Sequence, residues 1–113
     1  MARRRRIAIL LTAAAGAFLL LLGVSPTATA AYRTYEVAPG VRLNVRSGPG
    51  TGYNILRVLP AGSHVLIYCQ TPGTTVTGPY GTSNIWDNIS NGEFVSDAYV
   101  NTGSDGYVAS RCG

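Results

Sequence analysis

Beyond Ala30 the chain lacks a long helical or apolar run, lacks net charge, and has only two cysteines. Without long apolar periodicity, helical bundles are excluded as the fold class. Arg33, Arg42, Arg46, Arg57 and Arg111 are balanced by Glu36, Asp87, Glu93, Asp97 and Asp105. The formal +4 of the whole chain therefore belongs to its basic start, and nucleic acid is excluded as the main ligand. No phosphate-binding loop and no cluster with metal-ligand spacing occurs, so no cofactor and no metal are expected. Catalysis also lacks its parts. A cysteine nucleophile needs a histidine base and a group that orients it. The single histidine, His64, follows a Gly-Ser turn and reads as a solvated side chain. Asp87 and Glu93 fall on neighbouring strands of one hairpin, but they read as exposed acids without the deep cleft that acid–base work requires.

What is present begins with a targeting segment. Arg3, Arg4, Arg5 and Arg6 precede the apolar run Ile7–Val24, and Ala28-Thr29-Ala30 supplies small residues for cleavage. The run has 18 residues, the lower edge of a spanning helix. The Pro26 break and the A-x-A ending favour a cleaved signal peptide over residues 1–30. A single domain over 31–113 follows. Export leads to an oxidising compartment, so Cys69 and Cys112 are expected to form one disulfide. Tying Cys112 to a core strand would turn the tail, 101–113, into a strap.

Short β-rich runs alternate with Gly, Pro, Thr, Ser and Asn, the signature of an all-β sandwich or barrel. Strands are predicted at Thr34–Val37, Leu43–Val45, Ile55–Leu59, His64–Gln70, Thr74–Thr77, Ile85–Ser90, Glu93–Ser96 and Tyr107–Ala109. Pro60-Ala61-Gly62-Ser63 and Pro72-Gly73 read as turns, and Asn91-Gly92 is a hairpin signal. Gly78-Pro79-Tyr80-Gly81 marks a longer loop, and Ser96 to Tyr99 a single helical turn.

Strand alternation assigns faces. Val65, Ile67 and Cys69 share one side. Trp86 and Ile89 are three apart, so with Ile89 in the core Trp86 stands outside it, in a groove between loops. Tyr53, Tyr80, Trp86 and Tyr99 are the candidate binding aromatics, since rings give contact area at low entropic cost. Core packing is the competing reading for each ring. Asn44 and Arg46 point away from the Leu43/Val45 face and are the candidate polar contacts.

The stretch LNVRSGPGTGYNILRVLPAGSHVLIY resembles the first half of a bacterial SH3 (SH3b) domain. The resemblance rests on Leu43, Asn44, Val45, Arg46, Ser47, Gly48, Pro49, Tyr53, Gly62 and the strand from Val65 to Tyr68. Trp86-Asp87-Asn88-Ile89 and Gly92-Glu93-Phe94-Val95-Ser96 are similar to the family's closing strands. The similarity covers 35–100. It implies a small half-open β-barrel of about 6–8 short strands. Its loop glycines would let the chain reverse over the barrel's mouth, with Tyr53 flanking a groove that takes short peptides, often of the cell wall. The segment Thr71 to Asn84 is longer than the family's usual connection, and the tail continues past the family's usual end.

The expectation is therefore a bacterial, secreted or wall-associated, non-enzymatic module with one disulfide, its oligomeric state open and a monomer favoured. Its partner would be cell-envelope peptide or peptidoglycan. A second possibility is a structural or effector protein whose barrel binds another protein. A cell-wall hydrolase comes third. No membrane partner is expected once the signal is removed.

Overall fold

The computed structural model describes residues 32–113. The signal peptide expected at 1–30 lies outside the described residues. The described chain contains eight strands: β1 (Thr34–Val37), β2 (Leu43–Arg46), β3 (Ile55–Leu59), β4 (His64–Leu66), β5 (Cys69–Gly78), β6 (Gly81–Ser90), β7 (Glu93–Ser96) and β8 (Val100–Asn101). A 3-10 turn, Asp97–Tyr99, joins β7 to β8. The strands form a three-stranded sheet, β4-β1-β8, and a five-stranded sheet, β3-β2-β7-β6-β5. All pairs within the sheets are antiparallel. With β3 and β5 as its outer strands, the larger sheet does not close on itself, and the all-β, half-open architecture follows.

The core comes from alternation. On β2 Leu43 and Val45 are buried while Asn44 and Arg46 are only half-buried. These two join Val37, Leu59, Val65, Ile67, Ile89, Val95 and Val100 in one apolar cluster between the sheets. Removing such side chains from water is the main favourable contribution to folding. Two turns need glycine for its backbone freedom. Gly62 has φ 76° in the Pro60–Ser63 turn, and Gly92 has φ 71° between β6 and β7.

The run His64 to Gln70 is not one strand. It breaks at Ile67 and Tyr68, where the chain crosses from the small sheet to the large one. Ile67 N–H donates to the Arg33 carbonyl on one side, and Tyr68 N–H donates to the Asn88 carbonyl on the other. Val65 and Ile67 both stay in the core through this corner. The segment from Thr71 to Asn84 is also different from its sequence reading. It is a long hairpin arm of two ten-residue strands, β5 and β6. Gly78 pairs with Gly81, so Pro79 and Tyr80 form a tight turn rather than a long loop. Pro72-Gly73 is no turn. Pro72 sits within β5 at a register shift, tolerated because β5 is an edge strand.

The tail is a strap, although Tyr107–Ala109 is not a strand. Cys112 is disulfide-bonded to Cys69. Gln70 N–H donates to the Ser110 carbonyl at 2.8 Å, and Cys112 N–H donates to the Gln70 carbonyl at 2.9 Å. Val108 and Ala109 pack against the apolar cluster. Tyr107 instead lies under the Arg111 guanidinium, 3.5 Å from the ring centroid.

Candidate functional site

The loop 47–54 folds for a reason the sequence conceals. None of Gly48, Gly50 and Gly52 has a positive φ, so backbone reversal is not their role. Gly48 and Gly50 are buried. A Cβ at Gly48 would overlap the Tyr53 ring, and one at Gly50 would come within 2.7 Å of Thr74 Oγ1. On the facing arm, a Cβ at Gly73 would overlap the Pro49 carbonyl oxygen. The glycines therefore permit close packing of loop against arm. Thr51 N–H donates to Thr74 Oγ1 at 3.2 Å across the same seam.

Arg46 completes the loop. Its Nη1 donates to the Thr51 carbonyl at 3.1 Å and to the Tyr53 carbonyl at 3.0 Å. The guanidinium thus holds the loop shut instead of pairing with an acid. The surface ion pair on this sheet is Arg57 with Glu93, at 2.7 Å.

Beside this seam lies a groove of about 180 Å³. Trp86, Tyr99, Asn44 and Arg46 line it, together with Arg42 and Val76. Four of the six candidate residues from the sequence therefore meet in one place. Trp86 is outside the apolar cluster that holds Ile89, as strand parity requires. It is nevertheless only 2% exposed, because the arm covers it. Its Nε1–H donates to the Thr74 carbonyl at 2.8 Å. Trp86 is the floor of the groove, not a free platform. Tyr99 packs partly against the core and partly into the groove. The two remaining candidates go elsewhere. Tyr53 lies over the loop glycines and does not line the groove. Tyr80, at the tip of the arm, lines a separate cleft.

The reading of Asp87 and Glu93 as two exposed acids on one hairpin fails for Asp87. Asp87 is fully buried, opposite Val95, whereas Glu93 is at the surface with Arg57. The partner of Asp87 is Asp97, on the 3-10 turn. Gln70 binds both, donating from Nε2 to Asp87 Oδ1 at 2.7 Å and to Asp97 Oδ1 at 3.4 Å. Burial first, then the Asp97 charge and the hydrogen bond to Asp97, push the Asp87 carboxyl up to about 9, while Gln70 acts the other way. Burial also raises Asp97, and the hydrogen bond from Asp87 lowers it. Asp87 Oδ2 is buried and receives no donor, which disfavours the ionised form further. Gln70 Oε1 accepts from Val108 N–H at 2.7 Å and from Ala109 N–H at 2.9 Å, which links the acid pair to the strap.

Gln70 and Asp97 were missed because a lone Gln at the end of a strand and an Asp in a turn carry no local signal of burial. His64 is exposed, in agreement with its reading as a solvated side chain. Among the described residues no group of three or more His, Cys, Asp or Glu is placed to hold a metal ion, and no helix is long and apolar enough to cross a membrane.

No family model matches the chain. Two proteins of Bacillus subtilis (strain 168) are similar to it. The uncharacterised protein YraJ is 52% identical over 89 residues, covering 72% of this chain and 75% of YraJ. The uncharacterised protein YraI is 48% identical over 91 residues, covering 74% of this chain and 76% of YraI.

Proposed function

The chain belongs to the family of YraJ and YraI, and from its resemblance to bacterial SH3 domains and from its groove we propose that it is an exported, non-enzymatic binding module that recognises cell-envelope peptide or peptidoglycan. The observation that carries this reading is the convergence of Trp86, Tyr99, Asn44 and Arg46 in one groove between the loop and the arm. The groove combines an apolar floor with a few polar groups, as small-ligand sites do. It has two arginines and no acid in its lining, which suits a neutral or anionic peptide. The buried acid pair reads as structural: Asp87 has no exposure through which a substrate would reach it. The disulfide fits an oxidising destination.

Purified cell-wall sacculi provide the test. Trp86→Ala is a poor probe, because loss of so buried a ring unfolds small domains. The double variant Arg42→Ala with Asn44→Ala changes the groove rim and leaves the core intact. It should co-sediment with sacculi about fivefold less than wild type, the effect of roughly one lost hydrogen bond. Equal sedimentation of variant and wild type would overturn the reading. Since Trp86 is the one tryptophan in the chain, its emission should also shift as soluble wall peptides saturate the groove.

One observation favours the second reading, a protein partner. β3 is an edge strand, and its Ile55, Leu56 and Val58 are 51%, 50% and 38% exposed. An open edge with apolar side chains can accept a strand from another chain. Capture of one defined protein that Leu56→Lys abolishes, with no binding to sacculi, would establish this alternative.

A further inference from the structure

The cleft at the tip of the arm is separate from the groove, although the same 3-10 turn forms a wall of both. Tyr99 from that turn faces the groove, while Asp97 and Ala98 face the cleft. At about 440 Å³ it is larger than the groove and falls within the usual range for small-molecule sites.

Its walls are held by hydrogen bonds that do not depend on a ligand. Tyr80 N–H donates to the Ala98 carbonyl at 3.1 Å, which fixes the hairpin tip against the turn. On the other side Thr102 Oγ1 donates to the Ser104 carbonyl at 3.0 Å, and Gly106 N–H donates to Ser104 Oγ at 3.0 Å. Between these walls stand the Tyr80 ring, 39% exposed, and the side chains of Ser83, Asn101 and Asp105, with Asp97 nearly buried at the base. Among the described residues, Asn101 and Asp105 make no side-chain hydrogen bond within the protein. Ser83 Oγ accepts from Ile85 N–H, which leaves its own O–H free to donate.

This lining selects by charge and by hydrogen-bond type. It contains two acids and no basic residue, so phosphates and carboxylates are repelled. The groove has the opposite bias, with two arginines and no acid. A cationic ligand has donors only and would leave the serine and amide donors without partners. A sugar hydroxyl both donates and accepts, and so uses serine, asparagine and carboxylate alike. The remaining feature is one exposed ring, which offers a flat apolar face to the C–H side of a pyranose. We propose that this cleft is a second binding site and that it takes a neutral oligosaccharide, with Tyr80 as the stacking ring and Ser83, Asn101 and Asp105 as the hydroxyl partners.

The site stands on its own residues, and its failure leaves the groove reading untouched. The probe is the β-1,4-linked tetramer of N-acetylglucosamine, titrated to about 1 mM or beyond into the isotope-labelled, disulfide-intact protein and followed by amide NMR. The expected result is a set of shifts at Tyr80–Ser83 and Asn101–Asp105, with groove amides of Asn44 and Arg46 unmoved. Tyr80→Ala, whose backbone contact to Ala98 is retained, should weaken binding about two- to tenfold, the range for loss of one aromatic contact. Asn101→Ala should weaken it as well. The assignment is overturned if no amide of the cleft shifts, if the shifts fall in the groove instead, or if Tyr80→Ala binds as wild type. It is equally overturned if tetralysine shifts the cleft amides and the tetrasaccharide does not.

Discussion

Asp87 keeps its proton through neutral pH because burial and the Asp97 charge raise its carboxyl to about 9. In the unfolded chain the same group ionises near pH 4. Between these values the native state holds a proton that the unfolded state has lost, so stability falls as pH rises from about 4 to about 9. Asp87→Asn reproduces the protonated acid in shape. Its carbonyl can accept from Gln70, and its amide can donate to Asp97. We expect this variant to be more stable than wild type at pH 8 by at least about 1 kcal/mol, or about 4–8 °C in Tm. Its advantage should vanish near pH 4. Thermal melts across pH, read by circular dichroism, check both statements; a wild-type Tm that climbs between pH 5 and 8 would contradict them. The loop glycines allow a second contrast. Gly73→Ala would push a Cβ into the Pro49 carbonyl, backbone against backbone, and should cost about 1–3 kcal/mol. Gly52→Ala meets nothing within 4 Å and has no positive φ, so its Tm should stay level or rise slightly. Equal losses in the two would show that the seam between loop and arm does not hold.

The tail contributes more than its cross-link. The disulfide closes a segment with a sequence separation of 43, which the chain-entropy model values at up to about 4 kcal/mol. Gln70 Oε1 additionally depends on Val108 and Ala109 for both of its donors. Removing them leaves a buried carbonyl without a partner, at a cost of about 1–3 kcal/mol. Truncation after Asn101 keeps β8 paired with β1, since Asn101 is opposite Glu36. In a Cys69→Ser background, that truncation should therefore lower Tm beyond Cys69→Ser with Cys112→Ser in the full-length chain. Matching melts would reduce the tail to a tether. The hairpin arm has a different role. It covers Trp86 with Thr74 and places Tyr80 at the cleft, so its extra length creates the sites rather than closing them.

For the whole molecule, the described domain carries balanced charge, and the excess of basic residues lies at positions 3–6. Export with cleavage after Ala30 predicts an intact mass beginning at Ala31 in the culture medium or wall fraction. A membrane-bound product that retains the arginines would contradict it. The two cavities have opposite charge character on one small domain, one lined by arginines and the other by acids. A polymer with neutral sugar and anionic peptide parts could engage both at once. Binding would then be tighter than to either part alone, because the second contact becomes intramolecular.

Local chemistry determined much of this protein. Alternation at Leu43/Val45 and Val65/Ile67, the Asn91-Gly92 turn and the parity of Trp86 against Ile89 are short-range patterns, and each was legible along the chain. The pairing of Cys69 with Cys112 followed from there being two cysteines and an expected oxidising destination. The tertiary structure decided what depends on neighbours distant in sequence. Pro72-Gly73 reads as a turn alone, yet becomes a strand because β6 offers an edge to pair with. The glycines of the loop look like hinges, yet they are contact points, since only the folded arm reveals what a Cβ would strike. Asp87 reads as a surface acid until Gln70, Asp97 and the strap enclose it. Tyr80 and Trp86 look like members of one set, and the fold places them in different cavities. In each case the deciding quantity is the removal of a group from water by a remote segment, which no local window of sequence contains.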